Sequence, residues 1–228
     1  MPTAKSLIRL LQLSSPALPV GAYTYSQGLE WAVESGKIVD EASTGAWITD
    51  LLIYGIGRYE APLMARLIEV WMHRDAVTLC RLNKEFIATR ESSELRAETV
   101  QMGYSMTRLA RELRDPALDP LIVQLGLMPE VAFPTAWSGF AASWDIEPKA
   151  ALTAYLWSWC ENQVMAALKA VPLGQASGQR VLMKLTESIP AIAAQALAMP
   201  ESDWSNLTPA FAIASARHET QYSRLFRS

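Results

Sequence analysis

One short segment comes close to a known catalytic motif. Residues 24–28 read Thr-Tyr-Ser-Gln-Gly, one residue away from the Gly-x-Ser-x-Gly elbow that presents a nucleophilic serine in α/β-hydrolases. That elbow needs a preceding strand and a glycine where Thr24 stands, whereas residues 14–21 form a loop interrupted by two prolines. A hydrolase using Ser26, an acid and His218 is the alternative interpretation. The preferred one is that Ser26 caps the helix that follows.

Few residues of this chain are suited to binding a metal ion or a nucleotide. The chain has two histidines, His73 and His218, and two cysteines, Cys80 and Cys160, so one chain cannot supply a multi-histidine metal site. We expect free thiols in apolar helices and an exposed His73 near a helix end. The sequence also lacks the Gly-x4-Gly-Lys-Ser/Thr loop that holds nucleotide phosphates. It therefore predicts no catalytic site, no cofactor and no metal site.

One acidic residue stands out from the scattered carboxylates. Glu161 lies among aromatic and aliphatic neighbours in the segment 159–165, so we expect it to be partly buried. The favoured interpretation is a carboxylate paired with Lys169 or with an arginine from elsewhere. The alternative is a functional acid whose pKa is shifted by its surroundings.

Two segments differ from both a hydrophobic core and an ordinary solvated surface. Residues 18–30 carry Tyr23 and Tyr25 into a helix, and the tail, residues 216–228, mixes tyrosine, leucine and phenylalanine with arginine. Free termini tend to be small and polar, whereas tyrosine and arginine are enriched in protein interfaces. The favoured interpretation is that the tail binds a partner. The alternative is that the tail packs on its own domain.

The elements that position these segments are predicted to be helices. Alanine and leucine are far more abundant than the β-branched valine and isoleucine, which favours helix over strand. Between Ser92 and Arg114 the apolar residues recur at helical spacing, and charged residues such as Glu98 are assigned to the exposed face. The segment 148–170 is apolar around most of its circumference, which predicts a buried central helix.

The resulting prediction is an all-α protein forming a single domain over residues 1–228, with 216–228 as a partner-binding tail. We expect about nine or ten helices packed around the central one. The predicted ranges are 5–13, 26–34, 41–57, 61–73, 75–89, 92–114, 130–143, 148–170, 177–197 and 209–216. Proline-containing pairs at residues 115–116, 119–120 and 199–200 are predicted to be connections between helices.

Charge and hydropathy limit the kinds of partner. The net charge is -3 and the hydrophobic fraction is 50%, so bulk electrostatics point to neither a nucleic acid nor an anionic membrane. The only apolar run near the start is short and is interrupted by Arg9 and Gln12. It matches neither a secretory signal nor a membrane span. The expected location is therefore the cytoplasm.

Three motifs together resemble the UreF family of urease accessory proteins. Residues 18–30 have the layout L-P-x-G-x-Y-x-x-S-x-G-L-E, residues 171–175 read V-P-L-G-Q, and residues 215–228 end in R-H-E-T-Q-Y-S-R-L-F-R-S. The first resembles the amino-terminal signature of the family, the second its central turn and the third its terminal signature. Their order, their spacing and the chain length all agree with that family.

The resemblance implies an all-α homodimer that acts as a urease maturation factor and is not itself an enzyme. In this family the protein bridges UreD (also called UreH) and the GTPase UreG. The complex engages urease apoprotein and uses GTP hydrolysis to install the nickel centre. The partner-binding residues carried over by motif are Tyr23, Ser26, Arg217, His218, Glu219, Tyr222, Arg224 and Phe226. The alternative within the same setting is a regulator of GTP hydrolysis by UreG, with Arg224 or Arg227 supplied in trans.

Overall fold

The computed structural model describes residues 3–228, and within that range the chain is built from helices with no strand. The first two residues of the predicted domain, 1–2, lie outside the described part. The α-helices are α1 (Ala4–Leu13), α2 (Leu29–Glu34), α3 (Glu41–Asp50), α4 (Ala61–His73), α5 (Ala76–Ala88), α6 (Ser93–Leu113), α7 (Asp119–Gly126), α8 (Phe133–Ser143), α9 (Pro148–Ala170), α10 (Gln175–Ala198) and α11 (Pro209–His218). Short 3₁₀ turns occupy Ala22–Thr24, Pro116–Leu118 and Glu201–Asp203.

Helices α3 and α4 are two ends of one continuous rod. A π-helical segment, Leu51–Glu60, joins them without a break, whereas the sequence predicted two helices separated near residue 58. Pro62 lies in the first turn of α4. Because the preceding π-helical turn is wider than an α-helical one, it has room for a proline ring that would interrupt an ordinary helix. Counted with this rod as one unit, the described residues form ten helices, and the all-α prediction is confirmed.

Helix α7 was missed by the sequence-based prediction. The two Asp-Pro pairs of residues 115–120 were expected to mark a connection only. Instead, Pro120 lies in the first turn of α7 and Pro116 in the first turn of a 3₁₀ helix. A proline is tolerated there because the missing N–H would have no partner within the helix. These prolines therefore begin helices.

Helix α9, which we predicted to be central, packs against α1, α2, α3, α4, α8 and α10. Most of its side chains are buried or partly buried. Four residues of the helix are exposed: Lys149, Trp157, Met165 and Lys169. Trp157, which was expected to help cover the helix, is 37% exposed. The connection from α9 to α10 contains the predicted central turn, and Gly174 is the residue before α10.

The expectations for the cysteines and for His73 are confirmed. Cys80 is partly buried and Cys160 is fully buried, and both are free thiols. Burial raises the pKa of the Cys160 thiol to about 12, so this thiol is unreactive at neutral pH. His73 is exposed in the last turn of α4, where its Nδ1 lies 2.9 Å from the carbonyl oxygen of Glu69. In residues 3–228 we find no helix of the length and apolar character needed to cross a membrane.

Candidate functional site

The tail folds back onto the loop that precedes α2. A main-chain oxygen of Ser228 accepts the backbone N–H groups of Ser26 at 2.6 Å and Gln27 at 3.0 Å. It also accepts the Ser26 hydroxyl at 2.6 Å. The Arg227 N–H donates to the carbonyl oxygen of Thr24 at 2.8 Å. The two segments that stood out in the sequence are therefore in direct contact, although about 200 residues separate them.

The backbone turns between the Ser26 and Gln27 N–H groups, which we call the receiving site, and α2. Gln27 and Gly28 both have positive φ values, 53° and 78°, a conformation that is uncommon for residues other than glycine. Helix α2 then begins at Leu29, with Gly28 as its cap residue. The prediction that Ser26 caps the helix beginning with Gly28 is wrong as to the cap residue, which is Gly28 itself. Its hydroxyl mainly donates to Ser228, and its contact with the Glu30 N–H is a long 3.3 Å.

Gly28 is expected to be the least replaceable glycine of this loop. A Cβ at Gly28 would lie 3.0 Å from the backbone nitrogen of Ser215, whereas a Cβ at Gly21 would meet nothing within 4 Å, and both residues have φ of 78°. Gly21→Ala should cost about 1–2 kcal/mol from backbone strain alone, and Gly28→Ala roughly 1–3 kcal/mol more from overpacking. Urea unfolding of the two variants measures the difference. Equal losses would show that the contact with α11 is unimportant.

A buried histidine connects the tail to two helices. His218, in the last turn of α11, is fully buried. Its Nδ1 lies 2.6 Å from a carboxylate oxygen of Glu94, at the start of α6, and its Nε2 lies 3.1 Å from one of Glu30, in α2. Arg224 of the tail is 2.5 Å from the other oxygen of Glu94. We call Glu30, Glu94, His218 and Arg224 the histidine cluster.

Glu30 also binds the tail backbone. Its Oε1 accepts the N–H of Leu225 at 2.6 Å, and its Oε2 accepts the N–H of Phe226 at 3.0 Å. The carboxylate is almost fully buried, and a buried charge of this kind is tolerated only with several hydrogen-bond donors around it. Glu30 is therefore the residue that holds the tail backbone in place.

Glu219 has a structural role at the start of α6. Its carboxylate accepts the Ser93 N–H at 2.6 Å, the Ser93 hydroxyl at 2.7 Å and the Glu94 N–H at 3.3 Å. The hydrogen bond from the Ser93 side chain, supported by those from the two backbone N–H groups, lowers the pKa of this carboxyl. A negative charge is favourable at this position because the first N–H groups of a helix have no helical partner.

Part of the tail faces solvent. Tyr222 is fully exposed, Leu225 is 70% exposed and Tyr23 is 62% exposed. The Lys169 ammonium lies 5.7 Å from the centre of the Tyr23 ring and 5.5 Å from that of Phe226, so it joins the loop to the tail through cation–π contacts. We call Tyr23, Tyr222, Arg224 and Leu225 the tail surface.

The structure divides the eight predicted partner-binding residues into two groups. Exposed to solvent are Tyr23, Arg217, Glu219, Tyr222 and Arg224, whereas Ser26, His218 and Phe226 are buried. The buried three hold the tail on its own domain, which was the alternative interpretation of the tail, and a partner cannot reach them while the tail is docked. Direct partner contact stays a prediction for the exposed five.

The contacts of Ser26 and His218 disagree with the hydrolase alternative. Both ring nitrogens of His218 face carboxylates, and the Ser26 hydroxyl donates to a main-chain oxygen of Ser228. A catalytic serine needs a neighbouring base that accepts its proton, and in this arrangement His218 has no nitrogen free for that task. The arginine-finger alternative stays a prediction, because one nitrogen of Arg224 is paired with Glu94 while the side chain remains partly exposed, and Arg227 is exposed.

Two further carboxylates, Glu98 and Glu60, are largely removed from solvent, and Glu98 contacts the tail. Glu98 of α6 accepts the Gln27 amide at 2.7 Å and the Ser228 hydroxyl at 2.7 Å, and burial raises its pKa to about 7. Glu60, at the end of the π-helical segment, bonds the Tyr155 hydroxyl and lies 3.6 Å from Arg90. Burial also raises the pKa of Glu60. Both carboxyls line a cavity that opens near Tyr23 and Lys169.

Sequence reasoning missed several of these residues. Glu98 was assigned to the exposed face of α6, yet it is only 6% exposed, because the tail covers that part of the helix. Glu30 and Glu94 were not selected, since nothing local distinguishes them from solvated acids. Glu161 was expected to form an ion pair. It is partly buried, which raises its pKa, but within residues 3–228 it has no basic partner at salt-bridge distance.

The exposed side chains of the candidate site lie on the protein surface. Across the described part of the chain, no three His, Cys, Asp or Glu side chains come close enough together to hold a metal ion. The fold and the site define an all-helical protein whose amino-terminal loop and carboxyl-terminal tail present an exposed surface of tyrosine, leucine and arginine.

The comparisons with known proteins name the family. The UreF family model matches residues 38–186, and the chain belongs to the UreF family. It is 67% identical over 228 residues, all of both chains, to the urease accessory protein UreF of Dechloromonas aromatica (strain RCB). It is 58% identical to the urease accessory protein UreF of Azoarcus sp. (strain BH72) over 223 residues, 97% of this chain and 95% of the relative.

A third relative is a longer protein. The chain is 47% identical over 228 residues to the bifunctional urease accessory protein UreEF of Bordetella bronchiseptica. That match covers 99% of this chain but 52% of the relative. A UreF-like chain therefore also occurs as one part of a larger polypeptide.

Proposed function

We propose that this protein is a non-catalytic scaffold in urease maturation, acting as a homodimer that bridges UreD (UreH) and the GTPase UreG. The complex would engage urease apoprotein and help to assemble its nickel centre, with the nucleotide supplied by UreG. The observation that carries this proposal is the tail surface. It combines exposed aromatic and aliphatic groups with an ordered backbone, which is how interface anchors are presented.

The order of the tail matters for its proposed role. Binding a flexible segment costs conformational free energy, whereas a surface that is already ordered avoids part of that cost. Here Glu30 and the receiving site at Ser26 and Gln27 fix the tail backbone through five hydrogen bonds. Tyr222 and Leu225 are thereby held in the open, although such apolar groups are normally covered.

Arg224 is the side chain of the tail surface best suited to specific recognition. One nitrogen of its guanidinium binds Glu94, and the side chain remains 39% exposed. Because a guanidinium is planar and carries five N–H donors, a fixed Arg224 can present its other donors in a defined direction. We assign it to the surface that recruits UreG, together with Tyr23.

Arg224→Ala is expected to leave the protein folded and to weaken UreG recruitment by about tenfold or more, as expected for the loss of one anchoring arginine. A pull-down with UreD present, at graded UreG concentrations, measures the effect. Arg108→Ala is the matched control. Arg108 is also an exposed arginine paired with a glutamate, Glu112, but it lies in α6 14 residues beyond Glu94, the partner of Arg224. Equal recruitment by wild type and Arg224→Ala would remove Arg224 from the proposal.

The molecular mass of the protein in solution, alone and with its partners, tests the proposed scaffold role. Size-exclusion chromatography with light scattering should give about twice the 25.2 kDa of one chain, and a larger complex after co-expression with UreD and UreG. Deletion of residues 216–228 should abolish the larger complex. A monomer would contradict the homodimer, and well-folded protein that forms no complex with either partner would contradict the scaffold.

A further inference from the structure

We propose that the cavity lined by Glu60, Arg90 and Glu98 is a binding site for a small neutral organic molecule, one that carries a carbonyl oxygen and an N–H group on an apolar body. Simple aromatic amides have this chemistry. The described residues that line the cavity all lie between positions 13 and 169. The site therefore belongs to the helical domain and its amino-terminal loop, and the inference is independent of the tail and of the proposed scaffold role.

The size and the walls of the cavity suit a single aromatic ring. Its volume is about 190 Å³, and an apolar cavity of about 150 Å³ is large enough to hold benzene. Side chains from α1, α6 and α8 form much of its apolar wall: Leu13, Met102, Phe133 and Trp137. Small-molecule sites in proteins are mostly apolar, with a few polar groups that fix the orientation of the ligand. The mouth near Tyr23 and Lys169 gives such a molecule a route of entry.

Arg90 supplies a hydrogen-bond donor that lacks an acceptor. Its side chain lines the cavity, is 10% exposed and lies over the Phe86 ring, 4.0 Å from the ring centre. A carboxylate oxygen of Glu60 is 3.6 Å from Nη1, which is beyond hydrogen-bonding distance. Within residues 3–228 the buried Nε has no acceptor. Because nearly all buried donors in folded proteins are paired, we infer that a ligand oxygen binds here.

The charges around Arg90 favour a neutral ligand. Glu60, in the rod, and Glu98, in α6, line the same cavity, and Glu91 follows Arg90 directly in the chain. An added carboxylate or phosphate would lie close to the Glu60 carboxyl, and like charges repel strongly where water is scarce. An added cation would meet the same repulsion at Arg90. A carbonyl group can bind the guanidinium without either penalty.

Glu60 gives the N–H group of the ligand an acceptor. Its Oε1 bonds the Tyr155 hydroxyl, and its Oε2 lies on the side of Arg90. A carboxylate oxygen can accept more than one hydrogen bond. The site therefore combines a donor at Arg90 with an acceptor at Glu60, which is complementary to the C=O and N–H groups of an amide.

Carbon-13 NMR of the full chain, labelled at its methionine methyl groups, tests the site with benzamide as the probe. Met102 is buried and lines the cavity, whereas Met183 is exposed on α10 and lies outside it. We expect benzamide to shift the Met102 signal, with a dissociation constant on the order of 1 mM or below, and to leave the Met183 signal unchanged. No shift of Met102 at the solubility limit of benzamide, or equal shifts of both signals, would overturn the proposal.

Two probes of similar size and one variant test the chemistry. Toluene lacks the polar group and benzoate carries a charge, so each should bind about tenfold more weakly than benzamide. Arg90→Met keeps a long apolar side chain but removes the donors. It should weaken benzamide by about tenfold and leave toluene unchanged. Equal binding of toluene and benzamide by the wild type would contradict the role of Arg90. Tighter binding of benzoate than of benzamide would contradict a neutral ligand.

Discussion

Glu30→Ala is expected to detach the tail and to lower the free energy of unfolding by about 3 kcal/mol, the loss typical when several buried hydrogen-bonding groups lose their shared partner. The variant leaves His218 without one carboxylate partner and deprives two tail N–H groups of their acceptor. Urea unfolding gives the free energy. Limited trypsin digestion followed by mass spectrometry gives the state of the tail, because cleavage after Arg224 should become faster once the backbone is free.

Glu34→Ala is the matched control for that experiment. Glu34 lies one turn further along α2, is exposed, and ends the helix, so its removal should change stability by less than about 0.5 kcal/mol. The double variant Glu30→Ala/His218→Ala should lose less than the sum of the two single variants, since the two residues share one interaction. Strictly additive losses would show that Glu30 and His218 do not share an interaction, and a tail as resistant to trypsin as the wild type would show that Glu30 does not hold the tail.

Helix type followed from the sequence because helical periodicity is a local property, whereas the total of ten matches because the missed α7 offsets the rod that was predicted as two helices. The boundaries that failed are those at which proline or glycine has more than one possible role. Pro120 starts α7, where a connection was predicted, and Pro62 is accommodated within a continuous rod. A proline lowers the stability of a helix interior but suits a first turn. Composition alone does not say which of these positions it occupies.

The location of the site was predictable in part. Aromatic residues in the loop and the tail identified both segments, and the structure places them in contact. The acids that fix the tail were missed because their partners lie far away in sequence. Glu94 meets His218 across 124 residues and Glu30 meets it across 188. Local pattern distinguishes buried from exposed faces of a helix, but it does not show that a distant segment covers the polar face. Glu98 was misassigned for that reason.

Glu98→Gln is expected to change the pH dependence of stability. Burial raises the pKa of Glu98 from 4.5 to about 7. A carboxyl with a raised folded-state pKa favours folding when it is protonated, and its contribution is lost as the pH rises from about 4.5 through about 7. At 1.36 kcal/mol for each pKa unit, the ionised wild type should lose about 3 kcal/mol over this range. The glutamine variant keeps a neutral group at every pH and avoids this loss.

Urea unfolding of Glu98→Gln and wild type at pH 5, 6, 7 and 8 measures this effect. The free energy of unfolding of the variant should rise relative to wild type by about 2.5 kcal/mol between pH 5 and pH 8, because part of the loss has already occurred at pH 5. Glu60, whose pKa is also raised by burial, is present in both proteins and largely cancels in the difference. Glu112→Gln is the control, because Glu112 lies on the same helix and is exposed. If the difference between Glu98→Gln and wild type is the same at every pH, Glu98 is ionised in the folded protein throughout. The contact between Glu98 and Ser228 would then join a charged carboxylate to the tail.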